Sequence, residues 1–126
     1  MGARYQCLGL AGVWSWRLLG SNHRELARAV GTFADRTLAA ADARAVGELA
    51  RTAVIEPSVA RDTSWQWVLF VDGEARAASS TSYARRLECL RAIARFRDCG
   101  PEAQIDPTPL VRRDGPLSRR TPQSPV

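Results

Sequence analysis

The sequence predicts an α+β protein made of two tandem repeats, and three observations predict it. Trp65-Gln66-Trp67-Val68-Leu69-Phe70-Val71-Asp72-Gly73-Glu74-Ala75-Arg76-Ala77 reads as two strands joined by a two-residue turn. Trp14-Ser15-Trp16-Arg17-Leu18-Leu19, followed by Asn22-His23-Arg24-Glu25-Leu26-Ala27, gives the same pattern with one extra loop residue. After each of these hairpins comes a helical stretch and then a short apolar segment, Ala53-Val54-Ile55-Glu56-Pro57 and Ala103-Gln104-Ile105-Asp106-Pro107, at an offset of fifty residues.

Taken in order, Arg4 to Leu8 alternates weakly, and Gly9 and Gly12 supply a turn before the first Trp pair. Trp14, Trp16 and Leu18 share one face of a period-two strand, with Ser15, Arg17 and Leu19 on the other. Gly20-Ser21-Asn22-His23 carries turn chemistry, and Glu25 to Val30 returns as the partner strand. From Phe33 to Arg51 the period becomes helical, with Leu38, Ala41, Ala45, Leu49 and Val46 as the predicted apolar face. Many alanines favour the helix and keep that face thin. Pro57 closes the next short strand and marks a strand end or a sheet edge. Ser58 to Ser64 is a polar connector with room for one more short strand around Val59.

In the second unit, Trp65, Trp67 and Leu69 share a face, and Asp72-Gly73 is the strongest hairpin signal in the chain. Ser80-Thr81-Ser82 offers an N-cap for a helix from about Tyr83 to Asp98, with Leu87, Cys89, Leu90, Ile93, Ala94 and Phe96 as its apolar arc. Gly100 and Pro101 stop it. The expected organisation is one domain over residues 1–107, with repeats at about 4–57 and 58–107, and an Arg/Pro-rich disordered tail over 108–126.

All 18 basic residues are Arg, which together with twenty alanines reads first as the imprint of a GC-rich genome. The net charge of +5 suggests an acidic partner until its location is considered: Arg112, Arg113, Arg119 and Arg120 against Asp114 place +3 in the tail. The body is nearly balanced. Three cysteines, an odd number at no metal-like spacing, with His23 as the single histidine, fit a reduced, cytoplasmic setting with no metal site expected. Cys7 to Gly20 is too short to span a bilayer and is broken by Arg17 and two Trp, so no membrane partner is expected.

The four tryptophans invite two readings: base stacking on an open sheet, or the large inward residues that a thin Ala-rich helix needs. The second is favoured. Arg85, Arg86, Arg91 and Arg95 form the densest basic run in the body, read mainly as a solvated helix surface and alternatively as a phosphate-binding face. With Arg112, Arg113, Arg119 and Arg120 they are the candidate nucleic-acid contacts, of the salt-sensitive kind. A nucleophile with its base, paired carboxylates or a Gly-rich phosphate loop is not found. His23 in its turn lacks an orienting partner, so no enzyme activity, catalytic residue, cofactor or metal is expected.

The tandem Trp-x-Trp-x-Leu arrangement resembles the YegP-like family, a bacterial and archaeal domain of unknown function. The pieces that carry the resemblance are Trp65 to Leu69, Asp72-Gly73-Glu74, Ala77-Ala78-Ser79, Ser82-Tyr83 and the helix through Cys89, Ile93 and Phe96, with Trp16 to Leu18, Ser21-Asn22-His23, Ala27, Phe33 and Ile55 in the first unit. The resemblance implies two β-β-β-α-β repeats in one antiparallel sheet, terminal strands exchanged between repeats, and two helices on one face. It also implies a monomer or homodimer and no established catalytic residues. The function expected is that of a small non-enzymatic binding or structural module, with weak nucleic-acid binding as the alternative.

Overall fold

The fold was analysed in a computed structural model, which describes residues 2–112. Strand β1 (Arg4–Leu10) turns through Ala11-Gly12 into β2 (Val13–Leu19), and β3 (Glu25–Ala29) follows the Gly20–Arg24 turn. Helix α1 (Arg36–Leu49) leads to β4 (Val54–Val59), and β5 (Trp65–Val71) and β6 (Glu74–Ser79) form the second hairpin. Helix α2 (Arg86–Cys99) is followed by the short strands β7 (Gln104–Ile105) and β8 (Leu110–Arg112). The eight strands form one sheet in the order β4-β5-β6-β3-β2-β1-β7, with β8 also on β1.

Most of the sheet is antiparallel, but β7 and β8 run parallel to β1, so the sheet is mixed where an antiparallel one was expected. The physical reason is one of direction: the chain leaves β6, which runs against β1, and α2 returns it the opposite way, so β7 and β8 arrive at the edge strand β1 pointing as it does. The strand after each helix pairs with the other half of the sheet: β4 with β5, and β7 with β1. β4 also corrects the expected strand count, because the end of the first unit and the start of the second are one continuous strand. Residues 108–112 depart from the expected tail as well, since Leu110, Val111 and Arg112 lie opposite Leu8, Gly9 and Leu10.

One face of the sheet carries the core. Cross-strand neighbours Tyr5, Leu18 and Ala27, then Cys7 and Trp16, and on the other side Ile55, Leu69 and Ala77, are all buried beneath the two helices. Trp16 and Trp67 are fully buried, which meets the expectation for the inner pair. Trp14 and Trp65 lie at the rim and are half-buried. Gly9 sits opposite Trp14, and a Cβ there would come within 2.9 Å of the indole, so glycine lets the ring lie across β1. On the opposite face Arg17 joins Gln6 (2.7 and 3.0 Å) and Glu25 (3.2 Å) in a polar cluster.

Both helices begin later than expected, because Phe33 and Tyr83 are held extended. Each exchanges two backbone hydrogen bonds with a rim tryptophan, Phe33 with Trp14 (2.8 and 2.9 Å) and Tyr83 with Trp65 (2.7 and 2.8 Å). Asp35 then caps α1 by accepting from the Leu38 N–H. At the matched site of α2 stands Arg85 rather than any of Ser80 to Ser82, and the Glu88 carboxylate accepts from its backbone N–H instead. The buried stripes are also rotated from the predicted ones. α1 buries Ala39, Ala43, Val46 and Gly47 and exposes Leu38; α2 buries Cys89, Ala92, Ile93 and Phe96 and exposes Leu87. On α1 small residues win the inner face because Trp16 already fills it, whereas α2 keeps Ile93 and Phe96 there, Phe96 stacked on Trp67. The helices' C-terminal ends meet over Gly47: Arg97 donates to the Ala50 and Ala53 carbonyls (2.9 and 3.0 Å), and Tyr5 Oη donates to Gly100 O (2.8 Å).

Candidate functional site

The two halves of the sheet share a scaffold and differ at one set of matched positions. The register slips by one residue at Leu26, where Leu18 faces Ala27 but Leu19 faces Glu25. It slips again at Arg76, where Leu69 faces Ala77 but Phe70 faces Ala75. Bulges of this kind re-aim a side chain. Here they turn Leu26 and Arg76 toward the helix layer, Leu26 packing against the core and Arg76 donating to Asp42 of α1.

Asp42 is the hub of the first half. Its side chain is 8% exposed, accepts from Trp16 Nε1 at 2.8 Å and pairs with Arg76. In the other half the position of Asp42 is held by Ala92, that of Trp16 by Trp67, and that of Arg76 by Leu26. Trp67 Nε1 is therefore buried with no hydrogen-bond partner among the described residues, and its ring stacks on Phe96 at 5.0 Å instead.

Around Leu26 the divergence opens a cleft of about 600 Å³, lined by Gly2, Ala3, the β2–β3 turn at Gly20, Ser21, Asn22 and Arg24, and Arg95 and Cys99 of α2. The turn is the longer, three-residue form, with His23 at positive φ (65°) as its last residue. The Asn22 Oδ1 accepts from the Arg24 N–H at 3.0 Å, which fixes the turn and leaves the Asn22 amide group as a donor. The Arg24 and Arg95 guanidinium groups make no hydrogen bond or ion pair among the described residues, and no carboxylate lines this cleft. At the matched place in the other half stand Ala45 and Leu49, the short Asp72-Gly73 turn, and Arg76 already tied to Asp42.

A second lobe of about 590 Å³ adjoins it through Gly2, Ala3 and Ser21, and contains Arg4, His23, Glu102 and Gln104. Arg4 donates to His23 Nδ1 (3.2 Å) and to Asp106 (3.1 Å). His23 thus accepts at Nδ1 and carries its proton on Nε2 when neutral. Its orienting group is a cation. Glu102, the carboxylate in this lobe, pairs with Arg51 at 3.4 Å on the surface.

Of the arginines singled out in the sequence, Arg85 at the N-cap of α2 and Arg91 and Arg95 on it are exposed, and among the described candidates Arg95 alone lines the cleft. Arg86 lies 6.0 Å over the Trp65 ring, an arrangement that uses its charge for a cation–π contact. Arg112 is in β8, on the far side of β1. Arg113, Arg119 and Arg120 lie outside the described residues. Arg24 was missed because a lone arginine in a turn carries no pattern; the extra loop residue in the first hairpin was the available signal.

Burial pushes all three thiols up, at Cys99 against a smaller opposing pull from Arg95. Burial thus works against the thiolate, the nucleophilic form, at all three. Among the described residues no group of three or more His, Cys, Asp or Glu could hold a metal ion, and no helix is long and apolar enough to cross a membrane.

Two solved structures resemble this fold. A YegP protein of unknown function from E. coli matches with a TM-score of 0.67 at 16% identity, covering 84% of this chain and 92% of that one. A UPF0339 protein from Shewanella oneidensis matches with a TM-score of 0.69 at 13% identity, covering 84% and 91%. The chain shares their fold, in line with the YegP-like resemblance of its sequence. No family model and no curated protein matches the sequence.

Proposed function

We propose that this chain is a small non-enzymatic binding module whose ligand enters the cleft between the β2–β3 turn and the C-terminal half of α2. The observation that carries this reading is the asymmetry of the two halves. The positions filled by the Arg76–Asp42 ion pair in one half hold Leu26 and Ala92 in the other, and beside Leu26 stand Arg24 and Arg95, whose guanidinium groups have no partner among the described residues. A non-enzymatic role is supported by the setting of His23, which is oriented by Arg4 and not by a carboxylate, and by thiols that burial keeps protonated.

Thermal denaturation of the full chain against a panel of small molecules tests it. A true ligand at a hundredfold excess over its dissociation constant adds about 2.7 kcal/mol to stability, which raises the midpoint by several degrees. The reading fails if every chemical class leaves the midpoint unmoved, or if a panel compound is turned over.

A second reading, salt-sensitive nucleic-acid binding, is favoured by Arg85, Arg91 and Arg95 standing exposed and unpaired along α2 among the described residues. Fluorescence anisotropy at two salt concentrations, with the full chain and with one truncated after Arg112, tests it. A steep salt slope that needs the residues beyond Arg112 assigns the affinity to an electrostatic arm. No binding by either chain removes the reading.

A further inference from the structure

The cleft's lining also constrains the chemistry of its ligand. This step rests on the binding-module reading above. Two arginines whose guanidinium groups have no partner among the described residues line a cleft with no carboxylate in its lining: Arg95 in the C-terminal half of α2, and Arg24 in the turn directly before β3. The turn beside them adds the Ser21 hydroxyl and the Asn22 amide as further donors. Such a set is rich in donors and cationic, the composition that arginine forks and oriented donors offer to a carboxylate or a phosphate.

Beneath these polar groups the wall changes character. Leu26 is aimed into the cleft by the bulge in β3, with Ala3 and Cys99 beside it, so the lower wall is apolar. The Cys99 thiol, raised by burial, adds no negative charge there. In the other half the bulge residue is Arg76 and the helix residue beneath it is Asp42, an arrangement that fills the space with its own ion pair. Replacing both by Leu26 and Ala92 removes the internal anion and leaves the two peripheral arginines for an external one.

We infer that the cleft binds a small organic anion, one carboxylate or phosphate group held by Arg95 and Arg24 and an apolar body resting on Leu26. The test is a nitrogen-15 NMR titration of the full chain with phenyl phosphate, benzoate, inorganic phosphate and the neutral benzyl alcohol. Phenyl phosphate and benzoate should shift the amides of Ser21, Asn22, Arg24 and Cys99 saturably, and the tighter of the two identifies the preferred head group. Inorganic phosphate should bind more weakly than phenyl phosphate, because it leaves Leu26 uncovered. Arg95→Gln should weaken phenyl phosphate about tenfold or more, the share expected of a charged hydrogen bond. Arg61→Gln, on the β4–β5 turn, should leave it unchanged. Benzyl alcohol binding as tightly as the anions would overturn the anionic assignment and leave the module reading standing. Shifts spread over all exposed arginines and unaltered by Arg95→Gln would show charge screening without a site. An absence of shifts at the cleft amides with every probe would also overturn it, whatever the thermal panel finds elsewhere on the chain.

Discussion

Asp42, Arg76 and Trp16 form a coupled unit whose energy can be measured against an internal reference, because the second half of the same protein carries the fully apolar version. In Asp42→Ala the Trp16 N–H loses its acceptor while still buried, which costs about 1–3 kcal/mol. Arg76, at 33% exposure, can turn its head group to water, so its share is small and the total is about 2–3 kcal/mol. Arg76→Leu is the harsher change, since it leaves a carboxylate of 8% exposure without its cation, at about 3–4 kcal/mol. The double variant Asp42→Ala/Arg76→Leu installs the Ala92 and Leu26 arrangement of the other half and should cost only about 1–3 kcal/mol, mainly for the orphaned indole N–H. The sum of the single losses therefore exceeds the double loss by at least about 2 kcal/mol. Urea denaturation followed by tryptophan fluorescence measures all four corners. Additivity within about 0.5 kcal/mol would refute the reasoning, because it would mean that the carboxylate and the guanidinium are not energetically paired. The reverse graft sharpens the test: Ala92→Asp alone should be strongly destabilising, and Leu26→Arg should recover part of that loss by supplying the missing cation.

Other outcomes follow from the same geometry. Gly47→Ala should destabilise by about 1–3 kcal/mol in thermal or urea unfolding despite alanine's better helix propensity, because the added Cβ would stand 2.8 Å from Tyr5 Oη and 2.9 Å from Gly100 O, where the helix ends meet. In the native protein a thiol reagent should reach Cys99 alone, and slowly, since Cys7 and Cys89 are fully buried; in urea all three should react. Stability should also decline on the alkaline side. Burial raises the phenol of Tyr5 and the thiols of Cys7, Cys89 and Cys99, so the folded chain keeps these protons to higher pH than the unfolded chain does. Their contribution is then complete below the unfolded thiol value, roughly 8.5, and is lost as pH rises past it. A urea midpoint flat from pH 7 to pH 10 would contradict this.

The parts of the fold legible in the sequence were those in which one residue type does one job. Asp72 and Gly73 both take positive φ (52° and 82°), as a two-residue hairpin turn requires, and the Trp-x-Trp-x-Leu stretches place Trp16, Leu18, Trp67 and Leu69 in the core. The helix faces were harder. In α1 nearly every candidate for the inner stripe is alanine, so hydrophobicity cannot tell Ala39 and Ala43 from Ala41 and Ala45, and Leu38 drew the prediction to the wrong side. The bulges at Leu26 and Arg76 were invisible to strict alternation, which would have sent Arg76 to solvent. The candidate site depended on those bulges, and only Arg95 of its two arginines was on the sequence-derived list.

The same comparison of halves explains the free edge of the sheet. Matched by position, β1 corresponds to β4, yet β1 is covered by β7 and β8, and β4 ends the sheet. Tyr5 O accepts from Asp106 N and Ala11 N donates to Arg112 O, so the odd-numbered residues of β1 turn their backbone groups outward toward the added strands. Cys7 lies between them on that outward row. Its counterpart fifty residues on is Pro57. A proline there sacrifices no bond to β5, because the missing N–H would have pointed away from the sheet, and it removes a donor from the edge at which a further strand would have to pair. The two matched strands thus differ where one is covered and the other is left at the edge. Pro57 at the free edge and Leu26 beneath the cleft are two positions at which the halves differ, the first ending the sheet and the second lining the cleft.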